Sequence, residues 1–238
     1  MNTIVTYIEH SCFLVETTEC YLLFDYYCGE VPLPAFDPAK PLLLFSSHAH
    51  HDHFSKEIFA LRNRYPSAVF VLSADIPVSA TVQPFTCPML PHEHRLLQLA
   101  GGRAAVSIDT LRSNDEGVAF IIQLGDLCIY HAGDLNNWWW DGDVEDQKLA
   151  DIYHEELEHI RGRHFSAAFI PLDPRLKGWW KGIEDFMLYA DADAIFPMHN
   201  FGKKGLPKKF LALDCAAGYK NRVFNVEEPL TRWEVKPH

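Results

Sequence analysis

His48-Ala49-His50-His51-Asp52-His53 packs four histidines and an aspartate into six positions, directly after the apolar run Leu42-Leu43-Leu44-Phe45-Ser46-Ser47. A hydrophobic core cannot absorb such a segment, because every buried imidazole brings ring nitrogens that need partners. Two readings are open: a solvated polar loop that is rich in histidine, or donors gathered around a cation. Neutral imidazole nitrogen and carboxylate oxygen are ligands for zinc, iron and manganese. The flanks favour the cation. The Leu/Phe run reads as a buried strand. Ser55 can N-cap an amphipathic segment from Lys56 to Arg64, with Ile58, Phe59 and Leu61 on one face and Pro66 ending it. The histidines therefore belong to a strand-to-helix turn, where a rigid scaffold presents functional groups from a loop.

The 238 residues are 48% apolar, enough to build a sizeable core, and we expect one domain over 1–238. The formal net charge of −11 argues against a nucleic-acid partner. No apolar stretch approaches the ~20 residues of a membrane span. Met1 to Tyr7 lacks a basic start and a long apolar segment, so the expectation is a soluble, cytoplasmic protein without a membrane partner. The six cysteines form no C-x-x-C pair, so reduced thiols are expected rather than a cysteine zinc site or disulfides.

The first half reads mainly as strands: Thr3–Tyr7, Cys12–Thr17, Tyr21–Phe24, Val69–Leu72, Arg95–Leu99, Ala104–Leu111, Val118–Leu124 and Leu127–Tyr130. Gly125-Asp126 is a two-residue hairpin signal, and Val31 to Pro41, with its prolines, is a loop. Val144 to Ile160, Ile183 to Ala190 and Pro207 to Ala217 carry helical spacing. Ala167–Pro171 and Ala194–Pro197 are short apolar strands between them. This order implies sheets covered by helices.

Two later segments end strands in ligand-capable side chains: Ile129-Tyr130-His131-Ala132-Gly133-Asp134 and Ile195-Phe196-Pro197-Met198-His199. An aspartate is a common turn residue and a lone histidine an ordinary buried one, so each is weak alone. With the first loop, however, the order H-x-H-x-D-H, then G-D, then a strand-end histidine resembles the metallo-β-lactamase fold superfamily. The resemblance covers nearly the whole chain. Ile8 to Glu16 looks like the opening hairpin of its simpler members, and Phe24-Asp25 like the aspartate that ends the third strand. Lactonase-like and bacterial metal-dependent hydrolases are closest in look. The resemblance implies an α/β (α+β) fold: a four-layer αββα sandwich of two mixed β-sheets, helices outside, metals at one edge. It also implies His48 and His50 on a first metal, Asp52, His53 and His199 on a second, and Asp134 bridging both. The spacing agrees, since His48 and His50 project from one side of an extended segment.

One departure stands out. The family's third histidine for the first metal falls where this chain reads Leu111-Arg112-Ser113-Asn114-Asp115-Glu116-Gly117. Asp115 is the candidate replacement, with Ser113 and Glu116 behind it; a plain hairpin turn explains the same residues. His92 and His94 are ligand candidates from another loop. His10 is expected to touch substrate or make a structural hydrogen bond, His51 to point away, and His131 to orient a ligand. At least one of Trp138-Trp139-Trp140 should line the cleft mouth. Arg175 either clamps an anionic group or pairs with Asp173.

The resemblance implies a hydrolase that cleaves a small-molecule lactone, ester or phosphoester with water activated by Zn2+, one ion or two, with Mn2+ or iron as alternatives. Asp52 would orient the water or take its proton. The rival is a non-catalytic metal-binding or ligand-sensing protein on the same fold with an incomplete first site. The Trp-rich segments leave a homo-oligomer open.

Overall fold

Alternation along two short strands sends neighbouring side chains into two different cores. Leu22, Phe24, Leu43 and Phe45 face one hydrophobic cluster, whereas Tyr21, Leu23, Leu42 and Leu44 face another. Strands buried on both faces belong in the middle of a layered sheet, and that is where these lie. A computed structural model describes residues 3–35, 37, 39–99 and 104–235. Within it, two sheets stack face to face with helical segments on both outer sides. The αββα layering expected from the resemblance is the observed one.

The first sheet contains β1 (Thr3–Glu9), β2 (Cys12–Glu16), β3 (Tyr21–Phe24), β4 (Leu42–Ser46), β5 (Val69–Ser73), β6 (Thr86–Met89) and, beyond β1, β15 (Arg232–Val235). Its order is β15-β1-β2-β3-β4-β5-β6, antiparallel as far as β3 and parallel from there on. The second sheet contains β7 (His94–Gln98), β8 (Ala105–Arg112), β9 (Val118–Leu124), β10 (Leu127–His131), β12 (Ala167–Pro171) and β14 (Ile195–Met198). Its order is β14-β12-β10-β9-β8-β7. The two short strands β11 (His164–Phe165) and β13 (Asp191–Ala192) pair separately. The expected β9–β10 hairpin closes at Gly125-Asp126 with Leu124 opposite Leu127.

Phenylalanines fill the space between the sheets. Phe24 stacks on Phe45, Phe45 meets Phe120 edge-on, and Phe13 packs against Phe169. The helices α1 (Val144–Glu158) and α2 (Lys181–Tyr189) cover the second sheet, where Tyr130 packs on Phe165 and Phe186. On the outside of the first sheet lies a 3-10 helix, Lys56–Asn63, with the Ser55 hydroxyl accepting from the Glu57 amide. It buries Ile58 against the cluster of Leu44, Phe70 and Leu72.

Some expectations changed. The Pro207–Ala217 helix is a short α3 (Leu206–Phe210) followed by a 3-10 turn, Asp214–Ala216. Strands β6 and β15 give no clear signal in the sequence. Pro88 sits in β6, an edge strand, where an imide without an N–H is tolerated. β15 mixes charged and apolar residues and takes its place only by pairing with β1. Of the proline-rich loop, residues 36 and 38 lie outside the described residues. All six cysteines are free. No helix among the described residues is long and apolar enough to cross a membrane.

Candidate metal centre

The carboxyl ends of β4, β10 and β14 and the β1–β2 turn meet at one edge of the sandwich. Close packing at Ser47 fixes how they meet. Gly117 and Gly133 both have positive φ, +70° and +53°. A Cβ on Gly117 would lie 2.0 Å from the Ser47 carbonyl oxygen, and one on Gly133 would lie 2.6 Å from the Ser47 Cβ. Both must be glycine for the G-D turn and the β8–β9 turn to reach the histidine loop. The Val118 amide then donates to the Ser47 carbonyl at 2.9 Å.

This packing gathers all seven residues expected to bind metal. His48, His53 and Asp134 form one ligand-capable group, His50, Asp115 and Asp134 a second, and Asp52, His53, His199 and His10 a third. Asp134 belongs to two of these groups. His48 Nε2 lies 3.6 Å from Asp134 Oδ2 and 2.9 Å from His50 Nδ1. His53 Nε2 lies 3.1 Å and His199 Nε2 3.4 Å from Asp134 Oδ1. Asp115, the candidate replacement for a third histidine, comes from the Ser113–Gly117 turn and offers its carboxylate beside His50 and Asp134. It is also a turn residue, its amide donating to the Ser113 hydroxyl at 3.1 Å.

His10 is the member that sequence reasoning left undecided. It is buried, its ring centroid lies 4.2 Å from that of His199, and its Nε2 is 3.6 Å from Asp52 Oδ2. The signal was slight: a polar histidine between two apolar strands, at the tip of their hairpin. His10, Asp25 and His199 all adopt left-handed backbone, with φ of +53°, +43° and +62°. Each such non-glycine residue costs of order 1–3 kcal/mol and tends to occur at functional sites.

Behind these residues a buried layer fixes ring orientation. Asp25 is fully buried and accepts from the Ser47 amide (2.7 Å), the Ser47 hydroxyl (2.8 Å) and His53 Nδ1 (2.7 Å). His199 Nδ1 donates to Asp173 Oδ2 at 3.2 Å, and Arg175 grips the same carboxylate through Nε and Nη2. The Arg175 pairing with Asp173 is thus the one the fold uses. His131 contributes from below: its Nε2 bonds the Ser11 carbonyl at 3.1 Å and its Nδ1 accepts from the Gly133 amide at 3.2 Å. With Nδ1 of His53 held by Asp25 and Nδ1 of His199 held by Asp173, the Nε2 atoms of both rings face Asp134.

The electrostatics describe a site built around positive charge. Burial alone would discharge Asp134, but the His53 and His199 charges hold its carboxyl far below the usual range. Burial likewise opposes charge on His53, yet Asp134 and Asp25 outweigh it and raise its pKa well above normal. His48, pushed down by burial and by His53, sits at about 4. Burial and the Asp134 charge raise Asp115. Two neighbouring carboxylates in conflict are what an intervening cation relieves.

Four buried polar atoms give the most direct test of a metal. His10 Nε2, His53 Nε2, Asp134 Oδ1 and His199 Nε2 are shielded from solvent and have no hydrogen-bond partner among the described residues. Unpaired buried polar atoms are rare and costly. These four converge, all are ligand atoms, and the residues present fit one or two divalent cations.

The centre opens into a cavity of about 410 Å³ lined by residues that include His50, His51, Asp52, Asp115, Trp138, Trp140 and Arg175. His51 therefore lines the cavity rather than pointing away, because the loop turns back at His53, whose amide bonds the His50 carbonyl. Trp138 and Trp140 stack with ring centroids 6.1 Å apart on the cavity wall, while Trp139 packs against Gly178 and Lys181. His92 and His94 lie outside this cavity: His92 pairs with Glu156 and His94 with Asp109. Glu116 reaches to 3.4 Å from His50 Nε2, an exposed contact.

Residues 4–152 match the profile of the β-lactamase superfamily domain. The chain belongs to that superfamily. A metal-dependent hydrolase of the UPF0173 group from Salinibacter ruber is 28% identical over 163 residues, 60% of this chain and 68% of the relative. Its counterpart from Desulforamulus reducens is 30% identical over 147 residues, 55% of this chain and 61% of the relative. Among solved structures, the metallo hydrolase Igni18 from Ignicoccus hospitalis superposes with a TM-score of 0.64 at 16% identity, covering 99% of both chains. CmlA, a diiron β-hydroxylase from Streptomyces venezuelae, gives 0.59 at 12% identity, covering 98% of this chain and 54% of its own. At these identities the structural likeness establishes the metallo-β-lactamase fold and nothing finer.

Proposed function

We propose that this protein is a metal-dependent hydrolase of a small-molecule lactone, ester or phosphoester. The observation that carries the reading is the convergence of four orphaned ligand atoms beneath an open cavity. The names of the relatives support hydrolysis. The cavity volume falls within the ~300–1,000 Å³ of small-molecule sites, and the net charge of −11 disfavours a polyanionic substrate.

His48, His50, Asp115 and Asp134 would hold one cation; His10, Asp52, His53 and His199 would hold the other, with Asp134 between the two. Bound there, a divalent ion supplies Lewis acidity and brings the pKa of a water toward neutrality. The remaining work belongs to the chain. Asp52 is partly exposed at the cavity, and His10, whose Nε2 lies 3.6 Å from its carboxylate, together with the charge of His53 keeps it ionised. It can orient a water and accept its proton. Trp138 and Trp140 provide a flat apolar wall that positions the substrate.

We take zinc as the first expectation for the metal. A second metal is favoured by one observation: the carboxylate of Asp115 in place of a third imidazole makes the donor set harder, which suits manganese or iron.

The test is metal analysis of protein purified without added ions, followed by a screen of lactones, esters and phosphodiesters on wild type, His53→Ala and Asp134→Ala. We expect metal in the wild type and loss of turnover in both variants, with the fold retained. Full turnover in either variant would sink the proposal. A metal-loaded protein that turns over none of these substrates would instead support the sensing role.

A further inference from the structure

A second group of ligand-capable side chains lies outside the cavity just described. We propose that His92, Glu156 and His159 form a separate binding site for one divalent transition-metal ion, zinc by preference. Two elements build it. Glu156 and His159 stand in an E-x-x-H pattern at the end of α1, a spacing that puts both side chains on one helix face. His92 comes from the turn before β7. The three offer ligand atoms that all lie within 4.8 Å of one another.

The Glu156 carboxylate is nearly buried, with 7% of its side chain exposed. A carboxylate with so little access to water needs firm partners. It has His92 Nε2 at 3.0 and 2.8 Å and the Arg112 amide at 3.0 Å. His92 reaches it from a left-handed backbone, φ +59°, the more strained choice for a non-glycine residue. The His159 ring lies beside it, with its centroid 4.8 Å from that of His92. Two imidazoles and one carboxylate, with the outer side open to solvent, are the donors of a three-ligand zinc site with a free position. A neighbouring hollow of about 260 Å³ is lined by Glu93, His94, Asp109 and Arg163 as well as His92 and His159.

An ion here would fasten the turn before β7 to the end of α1. It would also bear on the first centre. Glu156 holds the amide of Arg112, the last residue of β8, and the next turn carries Asp115. The same helix carries Leu149, whose carbonyl accepts from Asn114 of that turn.

The test counts zinc equivalents. Metal-free wild type, His92→Ala and His159→Ala are titrated with Zn2+ against a chromophoric chelator. Both substituted side chains are exposed, so either variant should remain folded, and thermal unfolding checks this. We expect each variant to bind one equivalent fewer than wild type while keeping the equivalents of the central site. Asp134→Ala should lose central equivalents and keep the peripheral one, so failure of the central reading and failure of this one give different counts. Equal counts in wild type, His92→Ala and His159→Ala overturn the proposal and leave a hydrogen-bonded His92–Glu156 ion pair only.

Discussion

Replacing Asp25 by Asn removes one charge and almost no volume from beneath the metal centre. Asn tolerates left-handed backbone, so the φ of +43° at this position survives. Its single oxygen can still accept from the Ser47 amide, which lies 2.7 Å from the present carboxylate. Its NH2 group must then face His53 Nδ1, now 2.7 Å from Asp25 Oδ2. Two N–H donors cannot share that contact. His53 has to move its proton to Nε2, the atom 3.1 Å from Asp134 Oδ1 that a cation would need. The loss is one hydrogen bond to a charged group, about 1.5–3 kcal/mol. At about 1.4 kcal/mol per tenfold, metal affinity should fall roughly 10–100-fold. Competition of Zn2+ between the protein and a chelator at fixed pH measures it, with circular dichroism to confirm the fold. A folded Asp25→Asn protein that binds zinc within threefold of wild type would refute the reasoning, since the tautomer of His53 would then not depend on Asp25.

How much of this was legible beforehand depends on the range of the signal. The histidine loop, Asp134 and His199 each end an apolar strand, so local patterning exposes them. Their assembly into one centre became readable through the order of the motifs. Asp25 and Asp173 were hidden in their function. Each is one aspartate after a short strand, and what defines it is a bond to a histidine 28 or 26 residues away. His10 was hidden in the same way: its hairpin shows in the sequence, whereas its approach to His199 depends on how β1 and β14 meet at the sheet edge. Asp115 was ambiguous because both readings describe it: it sits in a tight turn, its amide held by the Ser113 hydroxyl, and its carboxylate lies near that of Asp134. The two edge strands of the first sheet were the least readable elements, because β6 and β15 have mixed composition and are held by pairing. A one-sided expectation failed at His51, where the course of the loop, not its residue types, decides direction.

Three further outcomes follow from the geometry. Gly117→Ala drives a Cβ to 2.0 Å from the Ser47 carbonyl at φ +70° and should cost about 3 kcal/mol, a fall in Tm of roughly 6–12 °C by thermal unfolding. Arg175→Ala releases Asp173 from its paired grip and lets His199 swing, so zinc affinity should drop about tenfold while the Tm moves little; an unchanged affinity would show that Asp173 holds His199 unaided. Asp115→His puts an imidazole where the resemblance implies a third histidine and removes one negative charge beside Asp134. Imidazole suits zinc, whereas a carboxylate suits manganese and iron. From an equimolar mixture of zinc and manganese, Asp115→His should therefore take up a zinc-to-manganese ratio about tenfold higher than wild type, a difference of about 1.4 kcal/mol. Asp115→Ala should lose one equivalent altogether. If both variants keep the wild-type ratio and stoichiometry, Asp115 is a turn residue and no ligand, and the first cation must rest on His48, His50 and Asp134 alone.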